Sequence, residues 1–159
     1  MRDLYSGDEW DLLVDLPRSV VIAATTAQAD NPRRTVTEGM AGHAGIQAGQ
    51  IDDSPLVRAV YAELFLKESD PESDELPAAE VFNNPERGLT EVLTRARRAA
   101  VVLAAKAEPE DAIAYRIWIG RIAGTVAEAA KSGGFIGLGG ERVTPAERRF
   151  LEQLDAALS

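Results

Sequence analysis

Five prolines of this sequence stand where helices are expected to begin, and this pattern indicates a chain built from helices. Proline suits the first turn of a helix because its missing N–H has no helical partner there. The five prolines are Pro17, Pro55, Pro85, Pro109 and Pro145. Helical spacing is clearest after Pro55, at Leu56, Val57, Val60, Tyr61, Leu64 and Phe65. We therefore predict a single all-α domain, residues 1–159, folded as a helical bundle.

The bundle is predicted to contain about six or seven helices. A short helix over 8–16 precedes a second helix that begins at Pro17 and fades near Asp30-Asn31-Pro32. The other predicted helices cover residues 35–49, 55–67, 85–105, 109–130 and 145–159. The stretch 68–77 is rich in acidic residues and contains two prolines, which predicts a mobile acidic loop.

Composition supports the helical interpretation. Alanine dominates the apolar residues, and aromatic residues make up only 6% of the chain. Alanine loses no side-chain entropy in a helix, whereas β-branched residues do. Four glycines, Gly39, Gly42, Gly45 and Gly49, are expected to weaken the third helix. Gly120 and Gly124 lie four residues apart, and we expect them to let a neighbouring helix approach closely.

The charge distribution argues against nucleic acid as a partner. The net charge is −9, and residues 1–90 hold 17 acidic and 7 basic residues, whereas residues 91–159 hold 9 and 10. An acidic protein repels a phosphate backbone. The basic cluster Arg95, Arg97 and Arg98 is more simply explained as an exposed helix face.

The absence of cysteine excludes disulfides, thiolate nucleophiles and cysteine-ligated zinc. The first residues are acidic and lack the apolar core of a signal peptide, and no window is apolar enough to span a bilayer. From these features we expect a cytoplasmic protein.

Two segments suggest an internal duplication of a helical hairpin. Residues 21–30 and residues 121–130 share five identical positions out of ten at an offset of 100. Each segment leads into a loop and then into a Val-Thr pair, Val36-Thr37 or Val143-Thr144, at the start of another helix. The shared order of elements predicts two related helical hairpins.

The repeated unit resembles the helix–loop–helix of the tellurite-resistance TerB-like family. Members read roughly Ala-x-Val-Ala-x-Ala-Asp-Gly-x-Val-Ser-x-x-Glu in each half. The second half of this chain matches the closing part with Val143-Thr144-Pro145-Ala146-Glu147, and the first half matches the Ala-Asp step with Ala29-Asp30. The resemblance implies an all-α fold, a role related to stress and a weakly bound divalent cation held by acidic loop residues.

The cation site that this resemblance implies is incomplete in the sequence. The second loop contains no carboxylate between Ser132 and Gly140, whereas the first half offers Asp30 and, two residues after Val36, Glu38. Asp30 and Glu38 are therefore the candidate ligands for a divalent cation.

The glycine-rich segment 133–140 is a second candidate site. It reads Gly133-Gly134-Phe135-Ile136-Gly137-Leu138-Gly139-Gly140 and lacks the Gly-Lys-Ser/Thr ending that a phosphate loop needs. One interpretation is a turn whose apolar residues enter the core. The other is a partner-docking loop or lid, because an uncharged apolar loop can form an exposed patch.

No catalytic motif is present in the sequence. His43 is the only histidine, and the chain has neither His-Glu-x-x-His nor Gly-x-Ser-x-Gly. We therefore expect a noncatalytic helical module that binds a protein partner or senses a ligand, with a homo-oligomer as a third interpretation. The alternative is a small hydrolase or ligand-binding enzyme that uses scattered carboxylates and His43.

Overall fold

The computed structural model describes residues 1–26, 32–69, 84–132 and 145–159. In these ranges the chain forms six α-helices and two short 3₁₀ helices without any strand, which confirms the predicted all-α class. The α-helices are α1 (Gly7–Thr26), α2 (Pro32–Gln47), α3 (Pro55–Ser69), α4 (Pro85–Lys106), α5 (Pro109–Ser132) and α6 (Pro145–Leu158). None of these six contains a stretch that could serve as a membrane span.

Helix α1 is continuous, so the predicted break at Pro17 is wrong. The helix opens with a capping box, in which the Ser6 backbone N–H donates to the Glu9 carboxylate (2.7 Å) and the Glu9 backbone N–H donates to the Ser6 hydroxyl (3.3 Å). Pro17 lies inside the helix and is buried. Leu16 and Val20 are fully buried on either side of it, and continuing the helix through the proline allows both to enter one core.

A tyrosine on α5 replaces the hydrogen bond that Pro17 removes from α1. A helical N–H at position 17 would donate to the carbonyl of Leu13, four residues earlier, but proline has no N–H. The hydroxyl of Tyr115 donates to this carbonyl at 2.7 Å, and the Tyr115 side chain is fully buried. Burial raises the pKa of Tyr115 well above 10.0, and the Asp15 carboxylate raises it further. The hydroxyl therefore stays protonated and able to donate.

Several helix boundaries differ from prediction by a few residues. Helix α2 begins at Pro32, which we expected to be a stop, and a 3₁₀ turn, Ala48–Ile51, follows its end at Gln47. Helix α3 is capped by Ser54, whose hydroxyl accepts from the Val57 N–H at 3.2 Å. Because α3 extends to Ser69, residues 68 and 69 of the predicted acidic loop are helical. Residues 70–77 lie outside the described ranges.

Helix α5 is the centre of the bundle, since it packs against each of the other five helices, most extensively against α2 and α1. Its inner face is fully buried at Tyr115, Ile119, Ile122 and Ala123. Helices α1 and α4 pack together, and α4 also packs against α6. Among the described helices, none covers the side of α5 that lies next to α6 and carries the exposed Ile113 and Ile117.

Three glycines bring α2 and its 3₁₀ turn into close contact with their neighbours. A Cβ added at Gly42 would lie 2.5 Å from a Val21 methyl on α1, and one added at Gly45 would lie 3.2 Å from the Ile122 Cα on α5. At Gly49 it would lie 2.7 Å from the Trp118 indole, whose N–H donates to the Gly45 carbonyl at 3.1 Å. These glycines therefore allow close packing, which outweighs their low helix propensity.

The segments matched by the proposed duplication share one local feature. Thr25 on α1 and Thr125 on α5 each donate their hydroxyl to the carbonyl four residues earlier, at 2.8 Å and 2.7 Å. Their surroundings differ, because Ile122 is fully buried, whereas Ile22, at the matching position of α1, is partly exposed. The duplication remains a prediction from the sequence.

Replacing Tyr115 by phenylalanine should show whether the Tyr115 hydroxyl compensates for the backbone N–H that Pro17 lacks. Tyr115→Phe leaves the buried Leu13 carbonyl without a donor, and we expect a loss of about 1–3 kcal/mol in the free energy of unfolding. In a Pro17→Ala background the new N–H of residue 17 can donate to that carbonyl, so the same substitution should cost less. Urea unfolding of the four proteins measures this coupling. An equal cost in both backgrounds would show that the two residues are independent.

The close contact at Gly42 can be tested against a glycine of the same helix that has free space. Gly42→Ala should destabilise the protein by about 1–3 kcal/mol, because the methyl group overlaps Val21. Gly39→Ala should stabilise it by up to about 1 kcal/mol, since nothing lies within 4 Å of the added carbon and alanine favours the helix. Thermal unfolding of both variants measures the difference. If both substitutions shift the unfolding midpoint in the same direction, the packing of α2 described above is contradicted.

Candidate functional site

An apolar groove lies between α5 and α6 and opens to solvent. Its volume is about 340 Å³. Helix α5 lines it with Arg116, Ile117, Gly120 and Gly124, and α6 lines it with Leu151, Leu154, Asp155 and Leu158. The bottom belongs to the core, since Leu154 and Leu158 are almost fully buried. The groove is therefore a gap between two well-anchored helices.

The uncovered side of α5 continues the groove as an apolar stripe. Ile113 and Ile117 lie four residues apart, so they share one helix face, and they are 55% and 49% exposed. Gly120 and Gly124 follow on the same face, and a Cβ added at either would have nothing within 4 Å. We expected these glycines to admit a neighbouring helix, but no helix in the described part of the chain occupies that space. The close contacts belong to the glycines of α2 instead.

Two charged residues, one on each helix, line the groove. Arg116 comes from α5 and Asp155 from α6. The Nε atom of Arg116 is buried without a hydrogen-bond partner among the described residues, a property it shares there only with Nε1 of Trp10. A buried donor that lacks an acceptor costs free energy. The groove therefore combines apolar walls with a guanidinium group whose hydrogen bonding is incomplete.

The helices on this side are almost neutral in an acidic protein. Helix α5 carries three basic and three acidic residues, and α6 carries two basic and three acidic residues. The whole chain has a net charge of −9, so most of the negative charge belongs to other segments. Electrostatic repulsion of a partner is therefore weaker at this face than it is for the chain as a whole.

The structure describes only one of the two predicted acidic ligands. Asp30 lies outside the described residues. Glu38 on α2 is only 2% exposed, and it lines a second, small cavity of about 10 Å³ together with Glu147 of α6, which is 6% exposed. That volume holds at most about one water molecule. In the described ranges no three Asp, Glu or His side chains are grouped closely enough to hold a metal ion.

Sequence reasoning placed Glu38 and Glu147 in the two related halves but did not predict that they would meet. They come together because α2 and α6 both pack on α5, next to Ala123 and Val126. Glu147 lies in the first turn of α6, whereas Glu38 lies further along α2, and Phe150 also lines the cavity. The predicted ligand Glu38 thus lines one cavity with Glu147, which the sequence analysis had assigned to the matching motif of the second half but not to the cation site.

The other candidate residues do not form a site in the described structure. The glycine-rich segment 133–140 lies outside the described ranges. His43 is on the exposed side of α2 and lines neither the groove nor the small cavity. The enzyme alternative therefore remains a prediction, since His43 lines neither of the two cavities described above.

Polar contacts at the N-terminal end of α5 connect it to neighbouring helices. The Ser54 hydroxyl donates to the Asp111 carboxylate at 2.5 Å and so links the start of α3 to the start of α5. Burial raises the pKa of Tyr5, and the Asp111 and Glu9 carboxylates raise it further. The ammonium group of Lys106 lies 2.5 Å from the Glu9 carboxylate, and this hydrogen bond is the main reason that the pKa of Glu9 is lowered. These contacts join the ends of α1, α3, α4 and α5.

Comparison of the chain with protein-family models, with curated proteins and with solved structures finds no match. The TerB-like resemblance therefore rests on the sequence motifs alone, and the groove between α5 and α6 has to be interpreted from its own chemistry.

Proposed function

We propose that this protein is a noncatalytic helical module that binds an amphipathic helix of a protein partner in the groove between α5 and α6. The observation that carries the proposal is the apolar groove, with Ile113 and Ile117 exposed beside it. Grooves between two helices accept the apolar face of a third helix, whose side chains at helical spacing fill the gap. Exposed apolar surface that continues into a concavity is typical of interaction sites.

The two open glycines add support from energetics. Glycine inside a helix costs roughly 0.5–1 kcal/mol relative to alanine. For Gly42 and Gly45 close packing inside the chain compensates that cost, whereas Gly120 and Gly124 have no neighbour within 4 Å of an added Cβ. A docked helix whose backbone approaches α5 closely would supply the missing compensation. The glycines therefore fit a surface that is completed by a partner.

Filling the groove tests this function. Amphipathic helical peptides can be selected by display against the wild-type protein and then measured on a Gly120→Leu/Gly124→Leu variant. We expect the selected peptides to bind the variant at least about tenfold more weakly, because leucine occupies the groove; tenfold corresponds to about 1.4 kcal/mol.

Gly39→Leu is the matched control, since it adds the same side chain to an open helical position on α2. It should leave peptide binding unchanged. Peptides that bind wild type and the double variant equally would show that the groove is not the docking surface. Circular dichroism of each variant establishes that the fold is retained.

A divalent cation beside Glu38 is a second candidate function, favoured by the position of Glu38 and Glu147 on one cavity. Carboxylate oxygens are the ligands that calcium and magnesium prefer. The resemblance to the TerB-like family supports the same chemistry, with Asp30 as a further ligand.

Thermal unfolding tests the cation proposal. A cation at about 100 times its dissociation constant should stabilise the protein by roughly 2.7 kcal/mol, which raises the midpoint by several degrees relative to EDTA. We expect Glu38→Gln and Asp30→Asn each to abolish the shift, and Glu128→Gln, at an exposed position of α5, to keep it. If calcium, magnesium, manganese and zinc all leave the midpoint unchanged, the acidic residues do not form a cation site.

A further inference from the structure

We infer that the helix bound in the groove is α5 of a second copy of this chain, so that the protein forms a two-fold symmetric dimer. This inference rests on the proposed function, since it names the partner of the same groove. Helix α5 carries both parts that such a contact needs: the exposed side chains of Ile113 and Ile117 and, along the same face, the open space at Gly120 and Gly124.

A two-fold axis makes these parts complementary. In a symmetric interface a residue of one copy meets a second residue of the other copy, and the reverse contact is identical. Antiparallel pairing of two α5 helices places Ile117 of each copy over Gly120 of the other. The side chain then fills the groove, where the missing Cβ leaves room.

The charges in the groove fit the same arrangement. Arg116 on α5 and Asp155 on α6 line the same groove as Ile117 and Gly120. The inferred two-fold contact pairs Arg116 of each copy with Asp155 of the other, because both line the groove that the second copy would enter. The two terminal nitrogens of the Arg116 guanidinium group can bind a carboxylate through two hydrogen bonds. The symmetry forms this ion pair twice.

The charge balance of the whole chain supports this face over others for self-association. Two copies that each carry −9 repel one another, but α5 and α6 together contribute only −1 of that charge. Association through these helices keeps most of the acidic residues away from the contact.

The size of the face predicts a dissociable dimer. Helices α5 and α6 have 24 and 14 residues, so their lengths and diameters limit this face to at most about 600 Å² on each copy. The total is near the lower end of the range for specific interfaces. We therefore expect a monomer–dimer equilibrium that depends on concentration.

Sedimentation equilibrium up to about 1 mM protein tests the dimer. The wild-type mass should rise with concentration towards twice 17.1 kDa. Ile117→Glu should keep the protein monomeric, whereas Val101→Glu, which changes an exposed side chain on α4, should not. Because both positions are exposed, we expect both variants to fold, as thermal unfolding can establish. A wild-type protein that stays monomeric, or a dimer that Ile117→Glu leaves intact, overturns the inference.

Exchanging the charges of Arg116 and Asp155 between two variants tests whether these residues pair across the interface. Arg116→Glu and Asp155→Arg each place like charges opposite one another in a homodimer, so each variant alone should be monomeric. In an equimolar mixture both ion pairs re-form between the two chains, and we expect a heterodimer. Contacts within one chain cannot produce this recovery, so a mixture that stays monomeric contradicts the proposed geometry.

The experiments distinguish a failure of the proposed dimer from a failure of the proposed docking function. A monomeric wild type whose selected peptides still depend on the groove leaves the docking function in place and removes the dimer. Absence of both dimerisation and groove-dependent peptide binding removes both.

Discussion

The hydrogen bond from the Tyr115 hydroxyl to the Leu13 carbonyl is the contact on which the rest of the bundle depends. It lets α1 pass through Pro17 without leaving a buried carbonyl unsatisfied, and so keeps Leu13, Val14, Leu16 and Val20 in one core. It also fixes α5 relative to α1. Because every other helix packs on α5, the position of α5 determines the cavity beside Glu38 and the groove beside Gly120.

The sequence was sufficient to predict the all-α class and the start of four helices, since those depend on local preferences. Proline occupies the first position of α3, α4, α5 and α6, as its missing N–H favours. The same rule fails at Pro17, because the donor that replaces its N–H comes from Tyr115, 98 positions further along the chain. Glu9 lies three residues after Ser6, so the true start of α1 was readable as a capping box.

The glycines show why the candidate site could be predicted only in part. Gly42, Gly45, Gly120 and Gly124 look alike in the sequence, each inside an apolar helix, and a pattern cannot tell which will meet a neighbour. The structure places the first two against Val21 and Ile122, and leaves the space at the other two open. Likewise, Glu38 and Glu147 share a cavity only because α2 and α6 both pack on α5. Which residues meet is a property of the tertiary arrangement.

Helix α5 organises the core and, in the proposed function, also provides a binding surface; these two roles conflict in most buried helices. A central helix that is covered on all sides gives the core its greatest stability, yet α5 leaves Ile113 and Ile117 in contact with water. Shielding that side within the chain would require α6 to lie closer to Gly120 and Gly124, where there is room for it. Helix α6 instead buries Leu154 and Leu158 in the core and packs Leu151 against it, and all three line the groove. The gap between α5 and α6 leaves apolar side chains exposed, and this exposed area is the physical basis of the binding role proposed above.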